Sequence, residues 1–399
     1  MTPITSSKTT QNITIAVILF TSFATIFYMY YEPNTSWFKC PAAQVHTNNV
    51  SAEICLSVKI QNYTQIDSNN CTVNVILDRQ QMTTATTTPT KHMTTAKRDD
   101  PDTILLIWMW PFGGSFGFGP CSSAFNIQGC RLTDDKDMYN QAHGVLFHLR
   151  DISWDLSNMP KLPRPALQKW ILFNMESPSN SPKNPKMKDL FNLTSSYRRD
   201  SDIPVPYGWL SEATVEEKKY TIPKKEKLVC WIVSNYNPSF KRSQYYTELS
   251  QYIHVEAYGG HFNRRISGNE YSNVVSSCKF YLSFENSIHR DYITEKLFNP
   301  LALGTVPVVL GPPRENYEQF IPSEAFIHVD DFPSPKELAD HLKFLDQNED
   351  IYRQYFTWRE HFVSKRSAFG LEHACRACEH IRRNKNYRVV KDLNSWYFV

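Results

Sequence analysis

A run of the sequence that begins at Phe284, FENSIHRDYITEKLFNPLALGTVPVVLGPP, joins polar side chains that could bind an anion to an apolar strand. We predict a strand that ends at Phe284 and a helix over Asp291–Leu303. Tyr292, Glu295 and Lys296 fall at positions i, i+3 and i+4 of that helix, so they share one face. This face lies near the helix N-terminus, just beyond the carboxyl end of a strand, which favours a phosphate. A solvated helix face with an internal ion pair explains these residues equally well.

A second candidate for anion binding is the segment SNYNPSFKR, which directly follows the apolar run LVCWIV. Ser234 and Asn235 could form hydrogen bonds with a ligand, and Lys241 or Arg242 could reach a diphosphate. A surface turn with solubilising basic residues is the alternative, and the segment by itself favours that alternative.

One acidic residue is placed for general-base chemistry. Glu176 ends the predicted strand KWILFNM and precedes Ser177-Pro178, which stop the strand. A carboxylate at a strand end that faces a cleft could take a proton from a substrate hydroxyl. On sequence pattern alone, an ordinary exposed glutamate is the simpler explanation.

The elements that would position these residues are short apolar runs separated by helix-length intervals. TILLI, HGVLFHL and KWILFNM form a first series, and LVCWIVS, IHVEAYG, KFYLSF, TVPVVLG and AFIHV form a second series after the linker TIPKKEK. Strands that alternate with helices imply parallel sheets. We therefore predict two α/β domains, residues 102–220 and 221–370, that face each other across a ligand-binding cleft.

The first 101 residues predict a membrane anchor and a stalk. Residues 13–31 contain no charged residue, and at about 1.5 Å per residue they match the roughly 30 Å core of a bilayer. A cleaved signal peptide is the alternative, but the run ends in Tyr28, Tyr30 and Tyr31 rather than in small residues. We predict an uncleaved signal-anchor, that is, a transmembrane helix, after a cytoplasmic tail of residues 1–12. Residues 32–101 are polar and Thr-rich, which predicts a disordered lumenal stalk.

Glycosylation sequons indicate on which side of the membrane the remaining chain lies. Those at Asn49, Asn62, Asn70 and Asn192 follow the anchor, as does Asn34, which lies close to the bilayer. Their clustering and the nine cysteines favour an oxidising lumen. The formal net charge of +3 gives no general argument for binding nucleic acid.

The chain from Thr103 to the C-terminus closely resembles the α1,3-fucosyltransferases. The resemblance rests on the long segment FYLSFENSIHRDYITEKLFNPLALGTVPVVLGPPRENY and on WPFG, FNIQGC, RDISWDL, NMESP, YRRDSDI, VPYG and CWIVSN. The vertebrate type that forms Lewis x is the nearest. The resemblance implies a GT-B fold of two Rossmann-like domains and a Golgi enzyme, a single-pass type II membrane protein with a lumenal catalytic part. This enzyme would transfer fucose from GDP-fucose to the 3-hydroxyl of the GlcNAc in N-acetyllactosamine, on glycoproteins and glycolipids, with inversion.

The same resemblance implies roles for individual residues. Glu176, in the Asn-x-Glu-Ser-Pro motif, would be the catalytic base. The donor site would be formed by Tyr207, Ile232, Ser234, Asn235, Arg242, Ile266, Tyr281, Asn286, Tyr292, Glu295 and Lys296. The acceptor side would be formed by Gly114, Arg150, Asp151 and Glu176. Arg150 resembles the members that prefer β1,4-linked (type 2) acceptors, whereas Leu149 and Gly114 depart from the usual His and Gln. A local ion pair between Arg150 and Asp151 is a further explanation of that dipeptide.

The chain contains two Asp-x-Asp pairs, Asp135/Asp137 and Asp200/Asp202, a pattern that can hold a divalent metal. Neither pair follows a strand of the predicted nucleotide-binding domain, and two acids this close are common by chance. We predict structural or acceptor-side roles for both pairs and no metal cofactor. Lys296 and Arg242 would then stabilise the leaving GDP as fixed positive charges.

The cysteines predict disulfides rather than a zinc site. Cys375-x-x-Cys378 is flanked by His373 and His380, but an isolated C-x-x-C is weak evidence for zinc, and a lumenal setting favours disulfides. The family pairing implies Cys121–Cys375 and Cys130–Cys378, which would tie residues 371–399 back to the N-terminal domain, and Cys230–Cys278. Cys40, Cys55 and Cys71 are left over in the stalk, where an odd cysteine could link two chains into a homodimer.

Two other functions fit parts of the pattern. The first is an anchored lectin, or an inactive homologue, that binds glycans without turnover. The second is a Golgi transferase that uses a different sugar nucleotide. Glu176 and Lys296 are both present, which favours an active enzyme over a lectin.

Overall fold

A computed structural model describes residues 102–398 of the chain. The predicted tail, anchor and stalk lie outside these residues, together with the sequons Asn49, Asn62 and Asn70. Across the described range, none of the helices combines the length and the apolar character needed to cross a bilayer.

The first half of this range forms a six-stranded sheet in which all neighbouring strands are parallel. Its strands are β1 (Thr103–Ile107), β2 (Cys130–Thr133), β3 (Gly144–His148), β4 (Lys169–Asn174), β5 (Leu193–Ser196) and β6 (Ile203–Pro204), in the order β2-β1-β3-β4-β5-β6. β3 and β4 are buried along their whole length, as expected for strands covered on both faces. The prediction of a parallel sheet is confirmed here.

The prediction of helical crossovers between the strands is wrong for this first sheet. Between its strands the structure contains one short α-helix, α1 (Cys121–Phe125), and several single 3₁₀ turns. The intervals are rich in proline, as in NMPKLPRPA, and proline removes a backbone donor and fixes φ. These segments therefore cross the sheet as turns and loops.

A two-stranded antiparallel ribbon lies outside both parallel sheets. Its strands are β7 (Gly208–Glu212) and a strand from near the C-terminus, Phe362–Arg366. The sequence analysis did not predict this ribbon, because neither strand is a continuous apolar run.

The second half forms a five-stranded parallel sheet with helices between its strands. Its strands are β8 (Lys227–Ile232), β9 (Val255–Tyr258), β10 (Cys278–Phe284), β11 (Val306–Leu310) and β12 (Ile327–His328), and Phe362–Arg366 becomes β13. The helices are α2 (Lys241–Leu249), α3 (Gly268–Ser276), α4 (Glu295–Leu303), α5 (Arg314–Tyr317), α6 (Pro335–Gln347) and α7 (Glu349–Gln354). The prediction of strands alternating with helices is confirmed for this half.

The two parallel sheets share one strand order. The second sheet runs β12-β11-β10-β8-β9, so in both sheets the first strand lies between the second and the third. The chain reverses its direction of winding between the first and third strands, and in sheets of this kind ligands bind beyond the carboxyl ends of those strands. These positions are β1/β3 in the first sheet and β8/β10 in the second.

The C-terminal helices pack on the first sheet. Helix α8 (Leu371–Arg383) buries Ala374, Ala377 and Ile381 in the same core as β1 and β4. The structure contains the two disulfides that the resemblance implies here, Cys121–Cys375 and Cys130–Cys378, as well as Cys230–Cys278 between β8 and β10. The final helix, α9 (Leu393–Tyr397), buries Leu393 and Tyr397 on the other core of that sheet.

The structure buries Asn192, which the sequence analysis predicts as a glycosylation site. Its side chain is fully buried. Its Oδ1 accepts hydrogen bonds from the Trp170 backbone at 2.8 Å and from Arg164 at 3.1 Å, and its Nδ2 donates to the Arg388 carbonyl at 2.6 Å. An enclosed, hydrogen-bonded amide of this kind favours a structural role for Asn192 over glycosylation.

We predict that Asn192→Gln leaves the number of N-glycans unchanged and lowers the free energy of unfolding by about 1–3 kcal/mol, because buried partners lose their hydrogen bonds. Intact mass before and after glycosidase treatment, together with equilibrium denaturation, measures both effects. Asn62→Gln, in the predicted stalk, is the matched control and should remove one glycan. Loss of a glycan in Asn192→Gln would contradict this interpretation.

Candidate active site

The predicted donor residues gather at the carboxyl edge of β8 and β10. Ser234 and Asn235 follow β8 and are exposed, and Asn286 follows β10 and is half-buried. Ile232 and Ile266 are partly buried. Tyr281 is buried in the core near the disulfide Cys230–Cys278, and its hydroxyl contacts the Ile232 carbonyl at 3.4 Å. The structure thus brings most of the predicted donor residues to one edge of the second sheet. Tyr281 packs in the core next to that edge.

Lys296 lies at the start of helix α4 beside a buried carboxylate. Its Nζ is 3.5 Å from Oε2 of Glu285, 2.9 Å from Oε1 of Glu295 and 3.0 Å from Oγ1 of Thr294. Burial alone would lower the pKa of Lys296, but Glu285 and Glu295 outweigh it and hold that pKa above its usual value. The amine of Lys296 therefore stays protonated.

The sequence analysis missed Glu285, which organises this cluster. Its side chain is 1% exposed and accepts hydrogen bonds from the Thr294 backbone at 2.8 Å and from the Thr294 hydroxyl at 2.9 Å. Burial raises the pKa of Glu285, and the Lys296 charge offsets only part of that effect. Its position could have indicated this role. Glu285 is the first residue after β10, where a side chain can reach the N-terminus of the next helix.

Helix α4 begins later than predicted and contains a proline that fixes Lys296. The helix starts at Glu295, with Thr294 as its N-cap, rather than at Asp291, whose φ of 60° is left-handed. Pro300 lacks the N–H that would bond to the Lys296 carbonyl four residues earlier. The Ser283 hydroxyl donates to that carbonyl instead, at 2.6 Å. The backbone of Lys296 is thereby attached to β10.

Tyr292 is placed differently from the prediction. It lies in the loop before α4, not on a helix face with Glu295 and Lys296, and it packs in the core of the first sheet. Its ring stands edge-on to Tyr197 at 5.1 Å and to Tyr207 at 6.1 Å. Tyr292 therefore connects the loop before α4 to the core of the first sheet. Because α4 begins only at Glu295, Tyr292 does not share a helix face with Lys296.

Arg242 is a buried cation without a salt bridge among residues 102–398. It is 4% exposed, its Nη2 donates to the Asn235 carbonyl, and its Nε has no hydrogen-bond partner in that range. Burial lowers the pKa of Arg242, although Glu285 offsets part of that effect. Burying an unpaired charge is costly, so this guanidinium favours an anionic ligand at the β8/β10 edge.

Glu176 lies two residues after β4, at the carboxyl end of a central strand of the first sheet. Its backbone is fixed by Asn174, whose Oδ1 accepts the Glu176 N–H at 3.3 Å, and by Tyr397, whose hydroxyl donates to the Glu176 carbonyl. Its carboxylate is partly exposed and lies 3.7 Å from Nη1 of Arg150. The fixed backbone and the accessible carboxylate suit a proton acceptor.

Arg150 and Asp151 do not form the local ion pair considered above. Arg150 pairs with Glu176, while Oδ2 of Asp151 lies 2.6 Å from Nδ1 of the buried His148 and accepts the Phe112 N–H at 2.8 Å. Gly114 lies in the same exposed loop as Phe112. These residues follow β1 and β3, so they occupy the winding reversal of the first sheet.

Hydrogen bonds of Ser177 and Ser179 join the segment after Glu176 to the segment after Asn286. The Ser287 hydroxyl contacts the buried Ser177 hydroxyl at 2.6 Å, and Oγ of Ser179 lies 2.6 Å from Nε2 of His289. These contacts hold the segment that follows Glu176 against the segment that follows Asn286. The sequence offered no signal for these pairs, which are 110 residues apart.

A pocket of about 570 Å³ opens beside these contacts. It is lined by Met175, Tyr207, Glu295, Asn299, Arg366 and Phe369. Tyr207 and Glu295 were predicted, whereas Asn299 and Arg366 were missed. A pocket of this volume, lined by both charged and aromatic side chains, could hold a small polar molecule.

The two Asp-x-Asp pairs have structural roles in this fold. Asp135 caps the 3₁₀ turn Lys136–Asn140, and Asp200 accepts two hydrogen bonds from Arg198 at 2.9 and 2.7 Å. Asp202 accepts from the Thr194 backbone at 2.8 Å. Within residues 102–398, no group of three or more His, Cys, Asp or Glu side chains is arranged to hold a metal ion.

Two parallel α/β sheets with charged side chains after their strands, Arg242 and Lys296 in one and Glu176 in the other, suit a nucleotide-binding transferase. The chain matches two family models, "Fucosyltransferase, N-terminal" over residues 100–208 and "Glycosyltransferase family 10 (fucosyltransferase) C-term" over residues 222–396. Together they cover both sheets. The chain belongs to glycosyltransferase family 10, the fucosyltransferases.

Individual relatives agree with this assignment. The human and mouse proteins named 4-galactosyl-N-acetylglucosaminide 3-alpha-L-fucosyltransferase 9 are 52% identical over 297 residues, 74% of this chain and 82% of theirs. The cattle 3-galactosyl-N-acetylglucosaminide 4-alpha-L-fucosyltransferase FUT3 is 44% identical over 298 residues, 73% of this chain and 81% of its own. The prediction of the family and of its nearest type is confirmed. A crystal structure of an α1,3-fucosyltransferase with GDP aligns at 15% identity with a TM-score of 0.48, over 74% of this chain and 94% of that one.

We predict that Lys296→Ala lowers the free energy of unfolding by about 3 kcal/mol at neutral pH, because Glu285 would stay buried without its cation. The pKa of Glu285 is raised, so protonation at acidic pH should remove this penalty, and the difference from the wild type should shrink as pH falls. Denaturant titrations at several pH values, with the disulfides intact, measure this.

The matched control for that measurement is Lys336→Ala. Lys336 pairs with Asp340 at 2.7 Å on an exposed face of α6, and exposed pairs contribute little to stability. Equal losses in the two variants, or a Lys296→Ala loss that does not depend on pH, would contradict the role given to Glu285.

Proposed function

We propose that this chain transfers L-fucose from GDP-fucose in α1,3 linkage to the GlcNAc of Galβ1-4GlcNAc, with inversion at the anomeric carbon. The single observation that supports this most is the placement of Glu176 against the donor loop through the Ser177–Ser287 contact, opposite Lys296 and Arg242. The names of the relatives support the substrates, and the residues at the two sheet edges suit them chemically.

We also propose that the fold is a GT-B arrangement. The two sheets have the same strand order, which supports this arrangement. The carboxyl edge of one sheet carries predicted donor residues and that of the other carries predicted acceptor residues. In that arrangement the nucleotide lies at the β8/β10 edge and the acceptor sugar lies near the β1/β3 edge.

The reaction divides between the two edges. Glu176 takes the proton from the 3-hydroxyl of GlcNAc as that oxygen attacks the anomeric carbon of fucose. The bond between fucose and phosphate breaks on the opposite face, and its electrons pass to GDP. Lys296 and Arg242 stabilise the diphosphate charge as it develops, in a partly desolvated cleft where fixed charges act strongly. The product is an α1,3-fucosylated acceptor of the Lewis x type.

The proposal includes no metal cofactor. The positive charge that many sugar-nucleotide enzymes take from a divalent ion would come here from Lys296 and Arg242. The aspartates of the Asp-x-Asp pairs are engaged elsewhere, three of them through their carboxylates. This assigns the leaving-group role to side chains of the chain itself.

The acceptor preference and the cellular setting are further parts of the proposal. Arg150, paired with Glu176, supports a preference for β1,4-linked over β1,3-linked acceptors on glycoproteins and glycolipids. The sequence of residues 13–31 supports a type II Golgi membrane protein with a lumenal catalytic part. The odd number of stalk cysteines supports a homodimer linked through that segment.

We predict that Glu176→Gln lowers kcat by ~10²–10⁴, because it removes the proton acceptor and keeps the side-chain size. Its Kd for GDP should stay near that of the wild type, since the nucleotide binds at the other sheet. Lys296→Ala should weaken GDP binding about ten- to a hundredfold, because it removes a charge-assisted hydrogen bond. Turnover and GDP titration, well below the unfolding temperature of each variant, give both quantities.

Glu324→Gln, on the exposed turn before β12, is the matched control and should leave both quantities unchanged. Near-normal turnover in Glu176→Gln would remove Glu176 as the base and would indicate that another group takes the proton. A wild type that binds glycans without any turnover would favour the lectin. Transfer from a UDP-sugar in preference to GDP-fucose would overturn the donor assignment.

We predict that fucosyl transfer by the purified protein persists in excess chelator, because side chains supply the positive charge that the leaving GDP needs. Initial rates with and without chelator, and after adding manganese back, measure this. A complete loss of activity that manganese restores would contradict the role of Lys296 and Arg242.

A further inference from the structure

Phe112 has an unusual backbone conformation next to the acceptor edge. It lies in the turn after β1 with φ 54° and ψ 27°, a left-handed conformation that is rare for a bulky residue. Its ring is 56% exposed. Residues in such conformations persist only where the surrounding structure holds them, and they concentrate at functional sites.

Two neighbours hold Phe112 in this conformation. Oδ2 of Asp151 accepts the Phe112 N–H at 2.8 Å and also lies 2.6 Å from Nδ1 of His148. The Phe112 ring stands edge-on against the buried His148 imidazole, with 4.8 Å between ring centroids. The backbone and the ring of Phe112 are therefore fixed together, while more than half of the residue's surface stays exposed.

The ring lies one side chain away from the proposed base. The Arg150 guanidinium carbon is 5.6 Å from the Phe112 ring centroid, and Nη1 of the same guanidinium is 3.7 Å from Oε2 of Glu176. A sugar whose hydroxyl reaches Glu176 would therefore extend over Arg150 toward the ring.

We propose that Phe112 contacts the acceptor by stacking its ring on a C–H face of the acceptor disaccharide, and that Asp151 and His148 are positioning residues that hold it there. A pyranose presents several C–H bonds on one face, and the negative face of an aromatic ring attracts such groups. This proposal rests on the proposed function. It replaces the direct acceptor contact predicted for Asp151, because both neighbours of its Oδ2 lie within the chain.

The first experiment compares acceptor and donor kinetics in the full-length protein. Phe112→Ala should raise the KM for Galβ1-4GlcNAc about five- to tenfold, in line with the strength of aromatic contacts, and leave the KM for GDP-fucose unchanged. Phe112→Trp should retain the wild-type acceptor KM, and Phe112→Leu should behave like the alanine variant. Phe344→Ala, an exposed phenylalanine on α6, is the matched control.

A double-mutant cycle tests the role of Asp151. Asp151→Ala should raise the acceptor KM about as much as Phe112→Ala, and the double variant should show no further increase, because both changes remove the same contact. Multiplicative effects would show that Asp151 meets the acceptor independently, and they would overturn its positioning role.

The outcomes separate this inference from the proposed function. If the wild type transfers fucose and Phe112→Ala or Phe112→Leu keeps a normal acceptor KM, the stacking role is wrong and the enzyme assignment stands. A rise in the KM for both substrates would indicate general disruption and would also overturn it. If the wild type transfers no fucose, both proposals fail.

Discussion

The donor half of the molecule depends on a lysine ammonium held beside a fully buried carboxylate. Glu285 binds the N-cap of helix α4 and the charge of Lys296 at once. The start of the helix, the orientation of the lysine and its protonated state therefore have a single origin. Because a buried carboxylate is costly without its cation, Glu285 holds Lys296 in its protonated form.

A second constraint comes from topology. Both parallel sheets place their first strand between the second and the third, so each has one edge where loops diverge. In the second sheet these loops carry Asn235 and Asn286, and in the first they carry Phe112 and Arg150. The Ser177–Ser287 contact then brings the two edges together. Two disulfides and the packing of helix α8 attach the C-terminal segment to the first sheet.

The acceptor edge shows how strain and electrostatics can be combined. A carboxylate that might have met substrate directly is used to hold a phenylalanine in a left-handed conformation, and an arginine connects that ring to the proposed base. Rigid support of this kind lowers the cost of ordering the Phe112 loop when a ligand binds. In the proposed role, Asp151 acts through the position of Phe112 rather than through its own charge.

The sequence alone predicted the long buried strands, β1, β3 and β4 in the first sheet and those of the second sheet, because such strands are continuous apolar runs. It did not predict the short strands β2, β5 and β6, which are not such runs. It also placed Glu176, Arg242 and Lys296 after strand ends. Local pattern could not determine the start of helix α4, since the left-handed Asp291 and the cap at Thr294 depend on Asn316 and Glu285 from elsewhere in the chain. Nor could it show that Asn192 is enclosed, because its partners include Arg388, which is 196 residues away. Local periodicity reports which face of an element is apolar, whereas the burial of one polar side chain is decided by contacts that only the tertiary fold creates.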